Sequence, residues 1–229
     1  SANPYSHVTE FRVFAAGSGP AADPVPATPV VLDPPPPDAD GFVSLLYDRD
    51  LVASGWIGST NGYVVDEEMV MTCIRGQGGN LLTAKEYGNF HLIFDFRLTP
   101  GANNGLGIRT PASGNPAYAG MEIQILDDRH EMYENIQPWQ AHGSIYGVVA
   151  ARRDLLKPAG EWNTEEVIAD GTKIKVIVNG EVAVDADLAD ITDENILNEH
   201  PGLKNASGHL GFLGHGDELS FRNIRIKEL

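Results

Sequence analysis

Glu122 and Gln124 stand two residues apart in Gly120-Met-Glu-Ile-Gln-Ile-Leu126, where polar and apolar side chains alternate. Such alternation is the mark of a strand with one face buried, so Met121, Ile123 and Ile125 turn toward a core and Glu122 and Gln124 project together from the other face. The same parity applied to Asn103-Asn-Gly-Leu-Gly-Ile-Arg109 puts Leu106 and Ile108 inside. Asn103, Gly105, Gly107 and Arg109 then face outward, with the glycines leaving a trough beside the arginine. In Leu210-Gly-Phe-Leu-Gly-His215, Leu210 and Phe212 face the core and Gly211, Leu213 and His215 face out. A carboxylate can remove a proton, an imidazole can carry one near neutral pH, and a guanidinium can stabilise developing negative charge. Amides orient the hydroxyls of a polar ligand. Taken singly, each of these is ordinarily a solvated strand residue, and glycine in a strand more often marks a bulge than a groove. The case for a site rests on their coincidence on three strands.

The elements that must position them read as antiparallel β structure. Phe90, Leu92, Phe94, Phe96 and Leu98 share one face of a strand, with His91, Asp95 and Arg97 on the other. Lys173–Val178, Asn179-Gly180 and Glu181–Val184 predict a hairpin closed by a type I′ turn, because both turn positions need positive φ. Further strands are expected at 63–74, 104–109, 120–126, 143–149, 164–169, 209–214 and 219–227, and only 187–199 shows a weak helical period. Nine or more strands with Gly-rich turns make an all-β chain of two antiparallel sheets, a β-sandwich or jelly roll. Eight of the 15 prolines fall between Pro20 and Pro37, so residues 1–40 read as an extended Pro-rich arm and residues 41–229 as the sandwich domain. Within the arm, Val8–Phe14 is apolar enough for an edge strand or an anchor.

Composition narrows the partners. The chain has 32 Asp and Glu against 16 Lys and Arg, a formal charge of −16. That excess of acid argues against nucleic acid and against anionic membranes, both of which call for clustered cations. No run of about 18 apolar residues is present to span a bilayer. No secretion signal is visible at Ser1, and the single cysteine, Cys73, lies in an apolar stretch that reads as buried rather than nucleophilic.

In order along the chain, Gly41-Phe-Val-Ser-Leu-Leu-Tyr-Asp-Arg-Asp-Leu51, Gly55-Trp56, Leu81-Leu-Thr-Ala-Lys-Glu-Tyr-Gly-Asn-Phe90, Asn103-Asn-Gly-x-x-x-Arg109, Gly120–Asp127, Gly143-Ser-Ile-Tyr-Gly147, Gly160-Glu-Trp-Asn163, Val178-Asn-Gly180 and Phe221–Leu229 form a set. Together they resemble the 3-keto-disaccharide hydrolase domain, a concanavalin A-like sandwich family of secreted bacterial proteins, over about residues 41–229. The resemblance implies a periplasmic or extracellular carbohydrate-active hydrolase acting on a glucoside already oxidised at C3. It implies catalytic roles for Glu122, His215 and Arg109, and substrate contacts from Asn103, Gln124 and Tyr146. Tyr146 comes from the resemblance alone. Where the family has Gln-Asp-His-Gly, this chain has Leu213-Gly-His-Gly216, which removes two polar groups.

The ketone acidifies the C2 proton, so a base can remove it and the aglycone can leave from C1. Water then adds to the enone. No carboxylate pair is needed. A divalent metal is a possible cofactor, with Asp127, Asp128 and His130 as candidate ligands, although such a cluster is more often turn chemistry. Two other readings remain open. Glu122-x-Gln124-x-x-Asp127 resembles the Glu-x-Asp-x-x-Glu strand of laminarinase-type hydrolases, which would make a two-carboxylate glycosidase. A non-catalytic carbohydrate-binding module is the third, with Trp56, Trp139 and Trp162 as stacking surfaces.

Overall fold

The computed structural model describes residues 30–229. The first strands are β1 (Val43–Ser44), β2 (Trp56–Gly58), β3 (Tyr63–Val65), β4 (Met71–Cys73), β5 (Asn80–Tyr87), β6 (Phe90–Leu98) and β7 (Asn103–Thr110). A single helical turn, α1 (Pro116–Ala119), leads into β8 (Met121–Leu126), and β9 (Asn163–Asp170), β10 (Lys173–Val178) and β11 (Glu181–Asp187) follow. The short helix α2 (Glu194–Glu199) precedes β12 (Gly208–Leu213) and β13 (Leu219–Glu228). One sheet has the order β11-β10-β9-β6-β13-β4-β3, with β1 also paired to β13; the other has the order β2-β5-β12-β7-β8. Every pairing is antiparallel. This is the expected all-β sandwich.

The two sheets meet through alternate side chains. Phe90, Leu92, Phe94, Phe96 and Leu98 of β6 are each at most 2% exposed. Phe212 of β12 stacks on Phe221 of β13 at 3.8 Å and meets the edge of Phe94 at 5.5 Å, tying the sheets across the core. Burial of each such ring contributes about 1.5–3 kcal/mol. The β10–β11 hairpin turns on Asn179 (φ 52°) and Gly180 (φ 83°), the positive pair that a type I′ turn requires.

Several elements depart from the expected pattern. The stretch 63–74 is two strands, because the Asp66 carboxylate accepts the N–H groups of Glu68 and Val70 and folds the chain into a tight turn. The expected strand at 143–149 is a loop with only two isolated bridges, Ile145 to Ile123 and Ile145 to Val149. Gly143 (φ 79°) and Gly147 (φ 75°) take it out of the extended region at both ends. The weak helical period at 187–199 becomes a 3-10 turn at Leu188–Asp190 and α2, whose first turn is capped by the Asp193 side chain accepting from Asn195. β2 and β5 were not expected. β5 lacks alternation: the three consecutive residues Leu81, Leu82 and Thr83 are all buried, and a register shift against β12 follows Leu82.

Of the arm, the Val8–Phe14 segment lies outside the described residues. Pro34–Pro37 are exposed, and the segment before them is tied to the body by Leu32 N–H donating to Ala53 O at 2.9 Å and by the Tyr47 hydroxyl donating to Leu32 O.

Candidate active site

β8 is the last strand of the smaller sheet, and its pairing with β7 sets Glu122 opposite Gly107 and Gln124 opposite Gly105. The outer edge of β8 is covered by the 143–146 loop. Gln124 N–H donates to Ser144 O, Gly143 N–H donates to Gln124 O, and Tyr146 N–H donates to Glu122 O, at 2.8–2.9 Å. The backbone that carries both polar side chains is therefore held on both sides.

The glycines opposite serve a purpose other than the trough expected of them. A Cβ on Gly105 would collide with the Glu122 carboxylate, which crosses the strand at that point. A Cβ on Gly107 would come within 3.2 Å of Leu213 and 3.0 Å of Thr110. The space is thus filled by Glu122 and Leu213.

Glu122 is the floor of a cavity of about 220 Å³. Its side chain is 6% exposed, and its Oε1 has no hydrogen-bond partner within the described residues. His215 Nε2 lies 3.6 Å from that oxygen, too long for a good hydrogen bond but close enough for strong electrostatic coupling. The imidazole is half exposed, and its pKa is raised above the ordinary value chiefly by the facing Glu122, against a smaller opposing effect of burial. Asp217 adds to the rise. The facing Glu122 thus favours the protonated form of the imidazole.

Gln124 and Asn103 form one amide unit on the cavity wall. The Gln124 NH2 donates to Asn103 Oδ1 at 2.8 Å and to Asn104 O at 3.3 Å, leaving the Gln124 carbonyl and the Asn103 NH2 for a ligand. Asn103 itself is fixed by its N–H donating to Asp217 Oδ2 at 3.0 Å. Tyr146 lines the cavity with the edge of Trp139 packed on it at 5.1 Å. Glu122, His215, Asn103, Gln124 and Tyr146 are thus brought to one place.

Arg109 is not with them. Pairing of β7 with β12 slips by a residue at this point, and Arg109 has φ 48°, so a bulge turns its side chain off the face that parity assigned. The guanidinium is instead held by the carbonyls of Gly88 (3.0 Å) and Gly171 (2.8 Å) and by the Asn89 side-chain oxygen (3.3 Å). With a further bond to Asn205 O at 3.4 Å it staples three loops at the end of the sheets, and it is 2% exposed. The role of stabilising negative charge at the site does not belong to it.

The cavity has walls that the sequence did not disclose. Tyr118 stands on α1, whose Asn115 side chain caps it by accepting from Ala117 N–H at 3.1 Å, with proline at the first helical position. That Asn-Pro pair was the available signal. His200 stacks behind Tyr118 at 5.0 Å. Tyr133 and Gln140 from the two 3-10 turns after β8, and Ile136 between those turns, complete the lining. Burial raises the pKa of both Tyr118 and Tyr133, so their hydroxyls remain donors.

The candidate metal ligands are spent elsewhere. Asp127 accepts Gly101 N–H, Asp128 accepts His142 N–H and pairs with Arg153, and His130 Nδ1 accepts Met132 N–H. They act as turn residues, and no group of three metal-binding side chains occurs among the described residues. Of the tryptophans, Trp56 is a core residue donating to Leu45 O. Trp162 has Arg97 and Arg222 over its ring at 4.7 and 4.1 Å, and only Trp139 is beside the cavity. Cys73 is fully buried.

A family model described as the 3-keto-alpha-glucoside-1,2-lyase-like domain matches residues 41–227. The 3-keto-disaccharide hydrolase of Bacteroides thetaiotaomicron is 27% identical, over 85% of this chain and 80% of its own. Among solved structures, a protein of Parabacteroides distasonis provisionally named a glycosyl hydrolase is 27% identical with a TM-score of 0.72, covering 82% of this chain and 99% of that one. A second from the same organism, 24% identical with a TM-score of 0.68 over 83% of this chain and 95% of its own, has the same fold. With the match running through nearly the whole sandwich and through the strands that build the cavity, the chain belongs to the family of 3-keto-alpha-glucoside-1,2-lyase-like domains.

Proposed function

We propose that this protein cleaves glycosides of 3-keto-glucose by elimination and hydration, with Glu122 as base and His215 as acid. The observation that carries this reading is the make-up of the cavity: one buried carboxylate with an uncommitted oxygen, one imidazole 3.6 Å away, and no second carboxylate on the lining among the described residues. A conventional glycosidase needs two carboxyl groups about 5–9.5 Å apart across the scissile bond. On β8's own continuation Asp127 is occupied by Gly101 N–H, and Asp128 by His142 N–H and Arg153.

In the proposed reaction Glu122 takes the proton from C2, and the C2–H electron pair forms the enolate with the C3 ketone. The enolate collapses, the C1–O bond breaks, and the departing oxygen receives the proton of His215. Water adds to C1 of the resulting enone while a proton returns to C2. The net change is hydrolysis. With Arg109 stapled elsewhere, the enolate oxygen is left to neutral donors, namely the Asn103 NH2 and the hydroxyls of Tyr118 and Tyr146, together with the imidazolium. The cavity is small for its class, which fits one ring held inside and the aglycone outside.

The test is to incubate the protein with a 3-keto-glucoside and with its unoxidised parent and follow aglycone release. Cleavage confined to the oxidised compound supports the reading; equal cleavage of both sinks it. Binding of either without cleavage favours a carbohydrate-binding module.

A further inference from the structure

Glu165 brings a carboxyl group into the core between the sheets. Glu165 sits on β9 opposite Phe94 and Val178, is 0% exposed, and has no hydrogen-bond partner for either carboxyl oxygen among the described residues. The polar group that faces it is His142 Nε2, 3.2 Å from Oε2 but without good alignment. The other imidazole nitrogen, Nδ1, accepts the N–H of Leu126 at 3.3 Å, so the ring hydrogen sits on Nε2, toward Glu165. The face of the ring packs on Phe96 at 5.0 Å. His142 is also anchored through its own N–H to Asp128 Oδ2, and Asp128 is paired with Arg153. A polar link thus crosses the core from β9 of one sheet to the end of β8 in the other.

We propose that His142 and Glu165 are positioning residues for the cavity on the opposite face of β8. This rests on the reading of Glu122 as base. Leu126 is the last residue of the strand that carries Glu122 and Gln124, and Gly143, next to His142, makes the first of the bonds that cover the strand's outer edge. Holding the imidazole therefore fixes both the end of β8 and the start of its covering loop. An apolar pair would fill the same volume without the desolvation cost of a buried acid, so packing alone gives no reason for these two residue types. Displacement of a catalytic group by about 1 Å costs up to about 100-fold in rate, which is the scale on which such a brace matters.

The test uses the full chain with three substitutions at these positions. His142→Phe removes the acceptor for Leu126 N–H, whereas His142→Asn can return one through its side-chain oxygen. In His142→Phe the amide exchange of Leu126 and Gln124 accelerates, and kcat on the 3-keto-glucoside falls about tenfold or more while KM moves by less than about threefold. His142→Asn restores a large part of both. A folded His142→Phe protein with unchanged exchange at Leu126 and unchanged kcat overturns the proposal, as does equal damage from Phe and Asn. Should His142→Phe fail to fold, Glu165→Leu is the second variant: faster exchange at Leu126 is expected, and unchanged exchange overturns the proposal. If the parent protein does not cleave the substrate, the reading of the cavity fails, while the exchange measurements still decide the brace.

Discussion

Four side chains separate chemistry from support. Glu122 has an uncommitted oxygen at the cavity floor, and Glu122→Gln keeps its volume while removing the base. The expected outcome is a fall in kcat of at least about 100-fold with the fold intact, measured by steady-state kinetics beside circular dichroism. His215 must be protonated for its proposed role, and the facing Glu122 shifts its titration upward in that direction. Activity should therefore decline on the alkaline side as His215 loses its proton. Since Glu122 is the main cause of the rise, the His215 titration followed by NMR should move down in Glu122→Gln. Glu165 gives the opposite kind of pH signature. Burial raises its pKa, so the folded state holds a proton that the unfolded state releases, and its contribution to stability is lost as pH rises from the ordinary glutamate range through the folded value. Glu165→Gln should be the more stable protein, by a margin that widens with pH in denaturant titrations. Arg109 is support of another kind. Arg109→Met leaves two carbonyls without their charged donor and should cost about 2–3 kcal/mol of stability, with KM unchanged in the folded fraction.

At the scale of elements, the site is a property of the β7–β8 pair and the loop that covers its edge. Alternation in the sequence placed Glu122, Gln124 and Asn103 on one face because β7 and β8 pair without a slip from Asn103 to Ile108. The same alternation misplaced Arg109, because a bulge consumes one residue and a period of two cannot register it. The glycines were visible too, but a sequence does not say what fills the space over them. Here Gly105 makes room for a carboxylate from the neighbouring strand, so Gly105→Ala should displace Glu122 and lower kcat by about 100-fold in a folded protein. Gly107→Ala meets the flexible end of Leu213 and the γ-methyl of Thr110 and should cost less than about tenfold on the same assay. The walls built by Tyr118 and Tyr133 were hidden for a different reason. They come from single helical turns, too short to leave a period, and only the Asn115-Pro116 cap marks the first of them.

For the molecule as a whole, the charge of −16 is unevenly spread. Seven acids and no Lys or Arg lie between Glu181 and Glu199, a largely exposed stretch of β11 and α2. The chain from Asn80 to Gly147, which builds most of the cavity, has seven acids and four Lys or Arg. The acidic stretch nevertheless ends at His200, the ring behind Tyr118, so the exposed excursion returns to support the cavity wall. None of the helices among the described residues is long and apolar enough to cross a membrane. In the proposed reaction a proton leaves C2 before the glycosidic bond is broken. The most direct measurement of this order is cleavage of a 3-keto-glucoside in deuterated water, with the product analysed by mass before free 3-keto-glucose can exchange on its own. Elimination predicts deuterium at C2 of the released sugar, and it predicts that Glu122→Gln abolishes both release and labelling. A released sugar that keeps its original hydrogen at C2, together with equally fast cleavage of the C2-deuterated substrate, would contradict this order of steps.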